Sequence, residues 1–244
     1  MELHVLGSSS AGNGYVLKSS SGECLIIEAG IPLKKAQPIF DFNPANVAGL
    51  ILTHEHGDHA KHVKQYAESG INVYSSLQTL KKVFKLNVGF ELYPLQSIGS
   101  YNIRRFNINH DAIEPIGFLI SHSEAGTILF LTDTHFSNYT FPGVDHFIIE
   151  ANYCEKILKQ RIADVQTNAK VGDRVYISHM EIETTIELLK ASGTEKTKTI
   201  TLIHLSDKNS NAEDFVRRVQ LATGVSKVEV AEPGKIIQLN KQIF

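Results

Sequence analysis

The sequence predicts an α/β protein (α+β by some schemes) in which two sheets pack face to face and helices cover their outer sides. Three observations predict it. Short aliphatic runs at residues 47–52, 127–131, 147–149 and 199–203 have the length and branching of buried strands. Segments of helical periodicity alternate with such runs along much of the chain. Hydrophobic residues make up 42% of 244 residues, enough for a substantial core.

The elements follow in order. Residues 3–6 read as a strand, and Gly7 to Gly14 as a small polar loop. That loop is either a tight turn or a rim whose hydroxyls and N–H groups, from Ser8 to Asn13, face anionic ligand oxygens. Strands at 15–18 and 24–28 turn at Ser21-Gly22. A short helix over 33–40 stops before Pro44, and the strand at 47–52 follows. Residues 60–69 read as a helix with Val63, Tyr66 and Ala67 on one face and His62 on the wet one. After a strand at 71–74, a helix over 76–86 turns Leu80, Val83 and Phe84 inward. It turns Lys81, Lys82 and Lys85 outward, as a solvated face or a nucleic-acid contact.

The strand at 101–108 delivers His110. A hairpin of 116–121 and 127–131 turns at Glu124-Ala125-Gly126, leaves His122 exposed and ends at Thr132-Asp133-Thr134. The strand at 147–149 ends at Glu150, a helix spans 155–163, and a strand at 173–177 delivers His179. The helix over 181–191 carries Ile182, Ile186 and Leu189 on one stripe, and the strand at 199–203 delivers His204. A helix over 211–223 turns Phe215, Val219 and Ala222 inward, and strands at 228–230 and 236–239 close the chain. His4 and His146 read as structural. No repeat or low-complexity linker interrupts the pattern, so one domain, 1–244, is expected.

Composition narrows the function. A net charge of −2 provides no global positive field for nucleic acid, so attraction for an anion has to be local. No window has the apolar length of a membrane span and no signal peptide is legible at Met1-Glu2-Leu3, so no membrane partner is expected. Two distant cysteines, Cys24 and Cys154, suit a reduced, cytoplasmic setting, and neither reads as a nucleophile.

The chemistry concentrates where the strand at 47–52 stops, in Thr53-His54-Glu55-His56-Gly57-Asp58-His59. Three imidazoles and a carboxylate within six residues make little sense as core. They are ligands that zinc, manganese and iron all accept. Alternate residues of a tight loop can face one ion while Asp58 and His59 face a second. His110, Asp133, His179 and His204 each follow a predicted strand, and α/β sites collect beyond the carboxyl ends of strands.

The H-x-H-x-D-H motif resembles the signature of the metallo-β-lactamase superfamily, whose fold is a four-layer αββα sandwich. His110, Asp133 and His204 occupy the places of that family's later motifs. The resemblance implies two divalent ions, zinc first, with manganese or iron as alternatives. His54, His56 and His110 would hold one ion, Asp58, His59 and His204 the other, and Asp133 would bridge both. The words LGSSSAGN (6–13), HDAIEPIGF (110–118), TDT (132–134), EANYC (150–154), LKQRI (158–162), SHMEIE (178–183) and HLSDKN (204–209) resemble the YycJ-like, or WalJ, branch. Ribonuclease Z and ribonuclease J are related members. In those nucleases a further histidine contacts the scissile phosphate or assists the leaving group, a role His179 would carry. The chain departs from the pattern at Glu28, where aspartate is usual, and at Met180-Glu181-Ile182, where Leu-Ser-Asn is expected.

The expected function is that of a dinuclear hydrolase, a phosphodiesterase or nuclease of exonuclease type using a metal-bridging hydroxide. Coordination brings the pKa of water from about 15.7 to about 7, which makes hydroxide available at neutral pH. Asp58 is placed to orient that hydroxide, and His179 to protonate an alkoxide leaving group. The partner is nucleic acid or another phosphodiester. Asp111, Glu150 and Glu28 are expected to accept hydrogen bonds from the ligand histidines, and His135 to stand on the substrate side. The alternatives are a thioesterase or lactonase of the same superfamily, and a non-catalytic metal-binding scaffold.

Overall fold

Two seven-stranded sheets form the middle of the molecule. The computed structural model describes residues 1–84, 88–164 and 175–241. The first sheet runs in the order β14 (Ile236–Gln238), β1 (Glu2–Ser9), β2 (Gly12–Lys18), β3 (Cys24–Ile27), β4 (Val47–Ile51), β5 (Val73–Ser75), β6 (Phe90–Glu91). The second runs β13 (Val228–Val230), β12 (Thr199–Ile203), β11 (His146–Glu150), β10 (Gly126–Leu131), β9 (Ile116–His122), β8 (Tyr101–Asn107), β7 (Leu95–Ile98). Both sheets are mixed. In each, hairpins give antiparallel pairs and crossovers give parallel ones, β3–β4–β5–β6 and β10–β11–β12–β13.

Period-two alternation decides which core each side chain joins. Leu25, Ile27, Ile51, Phe118, Ile128, Phe130 and Ile148 point between the sheets. Their neighbours Ile26, Leu50 and Leu52 point to the helices Val63–Glu68 and Leu77–Val83, while Leu129, Leu131, Phe147 and Ile149 point to the helices Ile182–Ser192 and Ala212–Thr223. Three cores therefore separate four layers, the two-sheet arrangement expected from the sequence. Strands buried on both faces carry near-continuous apolar runs, which is why they were legible.

The ends of elements differ more. The polar stretch 7–14 is not a loop: β1 and β2 pair through it, Ser8 opposite Asn13, and only Ser10 and Ala11 turn. The helix expected over 60–69 is two short ones, Gly57–Ala60 and Val63–Glu68. The helix expected over 76–86 is Leu77–Val83, capped by Ser76, whose hydroxyl accepts from Thr79 N; Lys85 and Leu86 lie outside the described residues. The strand expected at 173–177 is absent where described: 175–178 is a helical turn, and 173–174 lie outside the described residues. β6 and β7 were not legible, because Phe90, Tyr93 and Leu95 are exposed and lack alternation.

His122 is buried rather than exposed, at 7%. Its Nδ1 accepts from Glu124 N at 3.2 Å, so Nε2 carries the proton and donates to Ser100 Oγ at 2.9 Å. His146 is buried in β11 with Nδ1 at 2.8 Å from Thr199 Oγ1. Burial pushes its pKa down to about 4, against the pull of Asp145 and with the help of Lys198 and Lys227. An unfolded histidine titrates near 6.5, so the unfolded chain binds the proton first as pH falls. His146 therefore subtracts nothing above pH ~6.5 and about 2 kcal/mol by pH ~5. Urea denaturation at pH 7 and pH 5 is expected to show His146→Asn losing that much less stability on acidification than the parent.

Candidate metal centre

The histidines and aspartates of interest stand at strand ends on one edge of the sandwich. The loop after β4 carries His54 to His59, and the segments after β8, β10 and β12 carry His110, Asp133 and His204. Three strand-end residues take left-handed backbone: Glu28 at φ 68°, Asp133 at φ 50° and His204 at φ 54°. Such a conformation costs a non-glycine residue about 1–3 kcal/mol and redirects its side chain away from the strand. In all three cases the side chain turns into the same buried cluster.

Asp133 is the hub. Its Oδ2 lies 3.6 Å from His54 Nε2, 3.2 Å from His59 Nε2 and 3.5 Å from His110 Nε2. Its Oδ1 lies 2.7 Å from His204 Nδ1. Asp58 Oδ2 is 3.3 Å from His59 Nε2 and 3.5 Å from His204 Nε2. His56 Nδ1 is 3.0 Å from His110 Nε2. The ligand atoms of His54, His56, His110 and Asp133 lie within 4.8 Å of one another, as do those of Asp58, His59, Asp133 and His204. All seven ligand residues expected from the sequence thus share one cluster, arranged as two quartets joined at Asp133.

Hydrogen-bond partners fix the tautomers. Thr53 Oγ1 donates to Glu28 Oε1 at 2.5 Å, so it accepts from His54 Nδ1 at 2.9 Å. His110 Nδ1 faces the carbonyl of Ser178 at 3.1 Å, which only accepts. His204 Nδ1 lies between Asp133 and Glu150 carboxylates, the latter at 3.0 Å. Asn13 Nδ2 donates to His59 Nε2 at 3.1 Å, which leaves the proton on Nδ1, 3.4 Å from Glu28 Oε1 but too poorly aligned to bond it. In neutral form His54, His110 and His204 therefore each aim a nitrogen lone pair at a carboxylate oxygen, and His59 Nε2, which accepts from Asn13, also stands 3.2 Å from Asp133 Oδ2. Lone pairs facing anions repel, and His54 Nε2 and His204 Nε2 are buried with no hydrogen-bond partner. A buried unpaired acceptor costs about 1–3 kcal/mol, and a cation between the two groups removes both problems. The donor set of imidazole and carboxylate fits a divalent ion.

The titration directions say the same. Burial alone would push His59 and His204 down, but Asp133 outweighs it and holds both well above the ordinary histidine value. Burial raises Asp133 and Asp58, and the surrounding imidazoles outweigh it, His204 foremost, and hold both carboxyls low. His54, buried among other imidazoles, is pushed well below its usual range. An anionic cage without its cations draws protons instead.

Glu150 binds from behind. Its Oε2 accepts from Thr134 N and Met180 N, each at 3.2 Å, and its Oε1 meets His204 Nδ1 and, at 2.8 Å, His179 Nδ1. Asp133, Glu150, His179 and His204 also lie within ligand reach of one another, but these contacts already commit the Glu150 oxygens as acceptors. His179 keeps a side-chain exposure of 21%, and Glu150, outweighing burial, raises its pKa. Asp111 Oδ1 lies 3.4 Å from His110 Nδ1. His135 Nδ1 bonds Asn109 O at 3.2 Å.

Ser8, Asn13 and Asn152 were not singled out individually. Ser8 Oγ accepts from His204 N at 2.9 Å, Asn13 Nδ2 also reaches Asp58 Oδ2 at 3.4 Å, and Asn152 Nδ2 holds His204 O at 2.7 Å. The only sequence signal for the first two was their polar stretch; pairing brings them together. Gly30 also matters. A Cβ there would stand 1.7 Å from Asp58 O, so only glycine lets the Glu28–Gly30 segment pass under the metal loop. Gly30→Ala is expected to cost about 1–3 kcal/mol or more in urea denaturation and to weaken metal retention, because the Asp58 backbone must move.

The two-sheet sandwich with this cluster on its edge is that of a metal-dependent hydrolase with a metallo-β-lactamase fold, and residues 9–120 match the Metallo-beta-lactamase superfamily. Within that class the chain is similar to Exodeoxyribonuclease WalJ of Streptococcus pneumoniae (strain D39), 26% identical over 86% of this chain and 83% of the relative. It is 27% identical to Exodeoxyribonuclease YycJ of Bacillus anthracis over 87% of this chain and 86% of that one. Among solved structures, the metallo-β-lactamase fold protein YhfI from Bacillus subtilis superposes with a TM-score of 0.72 at 17% identity, covering 97% of this chain and 99% of that one. Among the described residues no helix is long and apolar enough to cross a membrane.

Proposed function

We propose that the chain, acting as a single domain, is a dinuclear metal-dependent phosphodiesterase that removes nucleotides from nucleic acid. His54, His56 and His110 would hold one divalent ion and Asp58, His59 and His204 the other, with Asp133 between them. Zinc suits this donor set best, and manganese or iron is compatible with it. Such ions supply positive charge for the phosphodiester oxygens and a water of lowered pKa.

The residues of the chain do the rest. Asp58 reaches the cluster from the first turn of Gly57–Ala60, where Asn13 steadies its Oδ2, and it serves to orient the attacking water. His179 is fixed by Glu150 at Nδ1, which leaves Nε2 to deliver a proton to the departing oxygen. Glu28, through Thr53, holds the His54 ring in one tautomer, and Glu150 does the same for His204. The observation that carries the reading is the pair of ligand quartets sharing Asp133, beside a histidine that belongs to neither. The names of the curated relatives favour DNA as substrate. The two free cysteines suit a cytoplasmic setting.

The test offers the protein, with manganese or zinc, labelled single- and double-stranded DNA, RNA, bis-p-nitrophenyl phosphate and a thioester. Release of nucleotides from a strand is expected. Cleavage of the thioester alone would overturn the proposal.

A further inference from the structure

Two stretches beside the metal loop carry lysines and no carboxylate. Residues 31–40 hold Lys34 and Lys35, and residues 60–67 hold Lys61 and Lys64. None of the 26 aspartates and glutamates of the chain falls in either stretch. In a protein of net charge −2, this is a local positive surface of the kind an anion needs.

A few surface lysines are ordinarily a solvated face. Here hydrogen bonds fold both stretches together and join them to the metal loop. Ala29 N donates to His59 O at 2.7 Å, and His62 N donates to Ala29 O at 2.9 Å. Tyr66 Oη donates to Ile31 O at 2.9 Å. Gln65 Oε1 accepts from Leu33 N at 3.3 Å, so Gln65 Nε2 donates to His62 Nδ1 at 3.2 Å. His62 Nε2 therefore carries the ring proton. Burial, and then the charge of Lys61, push the pKa of His62 below its ordinary value, so the ring adds a neutral donor beside the lysines. Ala36, Val63 and Tyr66 turn inward, and Lys34, Lys35, Lys61 and Lys64 are left exposed. Glu68 and Asp41 stand just beyond the two stretches, and among the described residues no carboxylate pairs with any of the four lysines.

Charge selects the occupant. Several ammonium groups on one surface suit a row of anions, and a nucleic-acid strand supplies one phosphate with every nucleotide. We propose that the Lys34, Lys35, Lys61 and Lys64 face carries the phosphates that flank the scissile one, along a strand that leaves the metal centre past His62. This rests on the nucleic-acid reading above and narrows it: the substrate is a polynucleotide that continues for several nucleotides beyond the cleaved bond, not a dinucleotide or another small phosphodiester.

The test uses the metal-loaded enzyme and compares kcat/KM for an oligodeoxythymidylate and for a dinucleotide across a range of salt concentrations. Lys34→Gln/Lys35→Gln/Lys64→Gln is the variant, and its substitutions are all at exposed positions. The slope of log kcat/KM against log salt for the oligomer is expected to become shallower by about 0.7 for each lysine removed, so by about 2 in all. At low salt the advantage of the oligomer over the dinucleotide is expected to fall at least about tenfold. Lys190→Gln/Lys196→Gln removes exposed charge on the other helical layer and is expected to alter neither quantity. An unchanged slope in the triple variant, an equal loss in the control, or a dinucleotide that loses as much as the oligomer would overturn the strand path while leaving the nuclease reading intact. Vesicles of phosphatidylglycerol that sediment with the parent and not with the triple variant, with the strand slope unchanged, would reassign the face to a lipid surface. No cleavage of any strand by the parent enzyme would overturn both readings.

Discussion

Asp133→Ala is expected to empty both ion positions and to lower turnover at least about 1,000-fold, some 4 kcal/mol of transition-state stabilisation. The reason is geometric. Asp133 alone belongs to both ligand quartets, and its two oxygens reach four imidazoles from three different segments of the chain. Its carboxylate also supplies the main pull that keeps His59 and His204 charged when no cation is present. Removing it leaves buried imidazoles around a void rather than around an ion. Metal content after dialysis and the rate on bis-p-nitrophenyl phosphate measure the two effects separately. A variant that keeps its metal and most of its rate would show that Asp133 does not join the quartets.

His179→Ala has the next largest expected effect, and a different signature. Turnover on an alkoxide-leaving substrate should fall about 100- to 10,000-fold while metal content stays at the parent level. His179 contacts Glu150 and lies beside His110 and His204 with ring centroids 6.1 and 5.1 Å away, so it faces the cluster without belonging to either quartet. The loss should shrink on bis-p-nitrophenyl phosphate, because nitrophenolate leaves without a proton. Glu150→Gln is the control: it keeps the ring's partner but weakens the hold on His204 as well, so it should cost metal affinity about 10- to 100-fold. Metal lost from His179→Ala would make this residue a ligand.

Much of this site could be read before any coordinates because ligand chemistry concentrates in unusual residues at strand ends. His54 to His59 announce themselves in one short loop, and His110, Asp133 and His204 each follow a run whose alternation or aliphatic density marks it as a strand. Other features depend on what the chain meets after folding. Ser8 and Asn13 reach the site only because β1 and β2 pair beyond the apolar residues that marked them. Nothing local says that His122 will be covered by Ser100 from another hairpin. The segment before His179 has an aliphatic pattern that fits strand or helix, and tertiary context chose a helical turn. Left-handed backbone at Glu28, Asp133 and His204 runs against residue preference altogether, and such local conflict is characteristic of functional sites.

The most direct measurement is the number of divalent ions bound per chain, obtained by elemental analysis of protein dialysed against a small excess of zinc or manganese. Two tightly held ions are expected, with both released together in Asp133→Ala. A single ion in the parent protein, or none, would contradict a cage built from two quartets around one shared carboxylate.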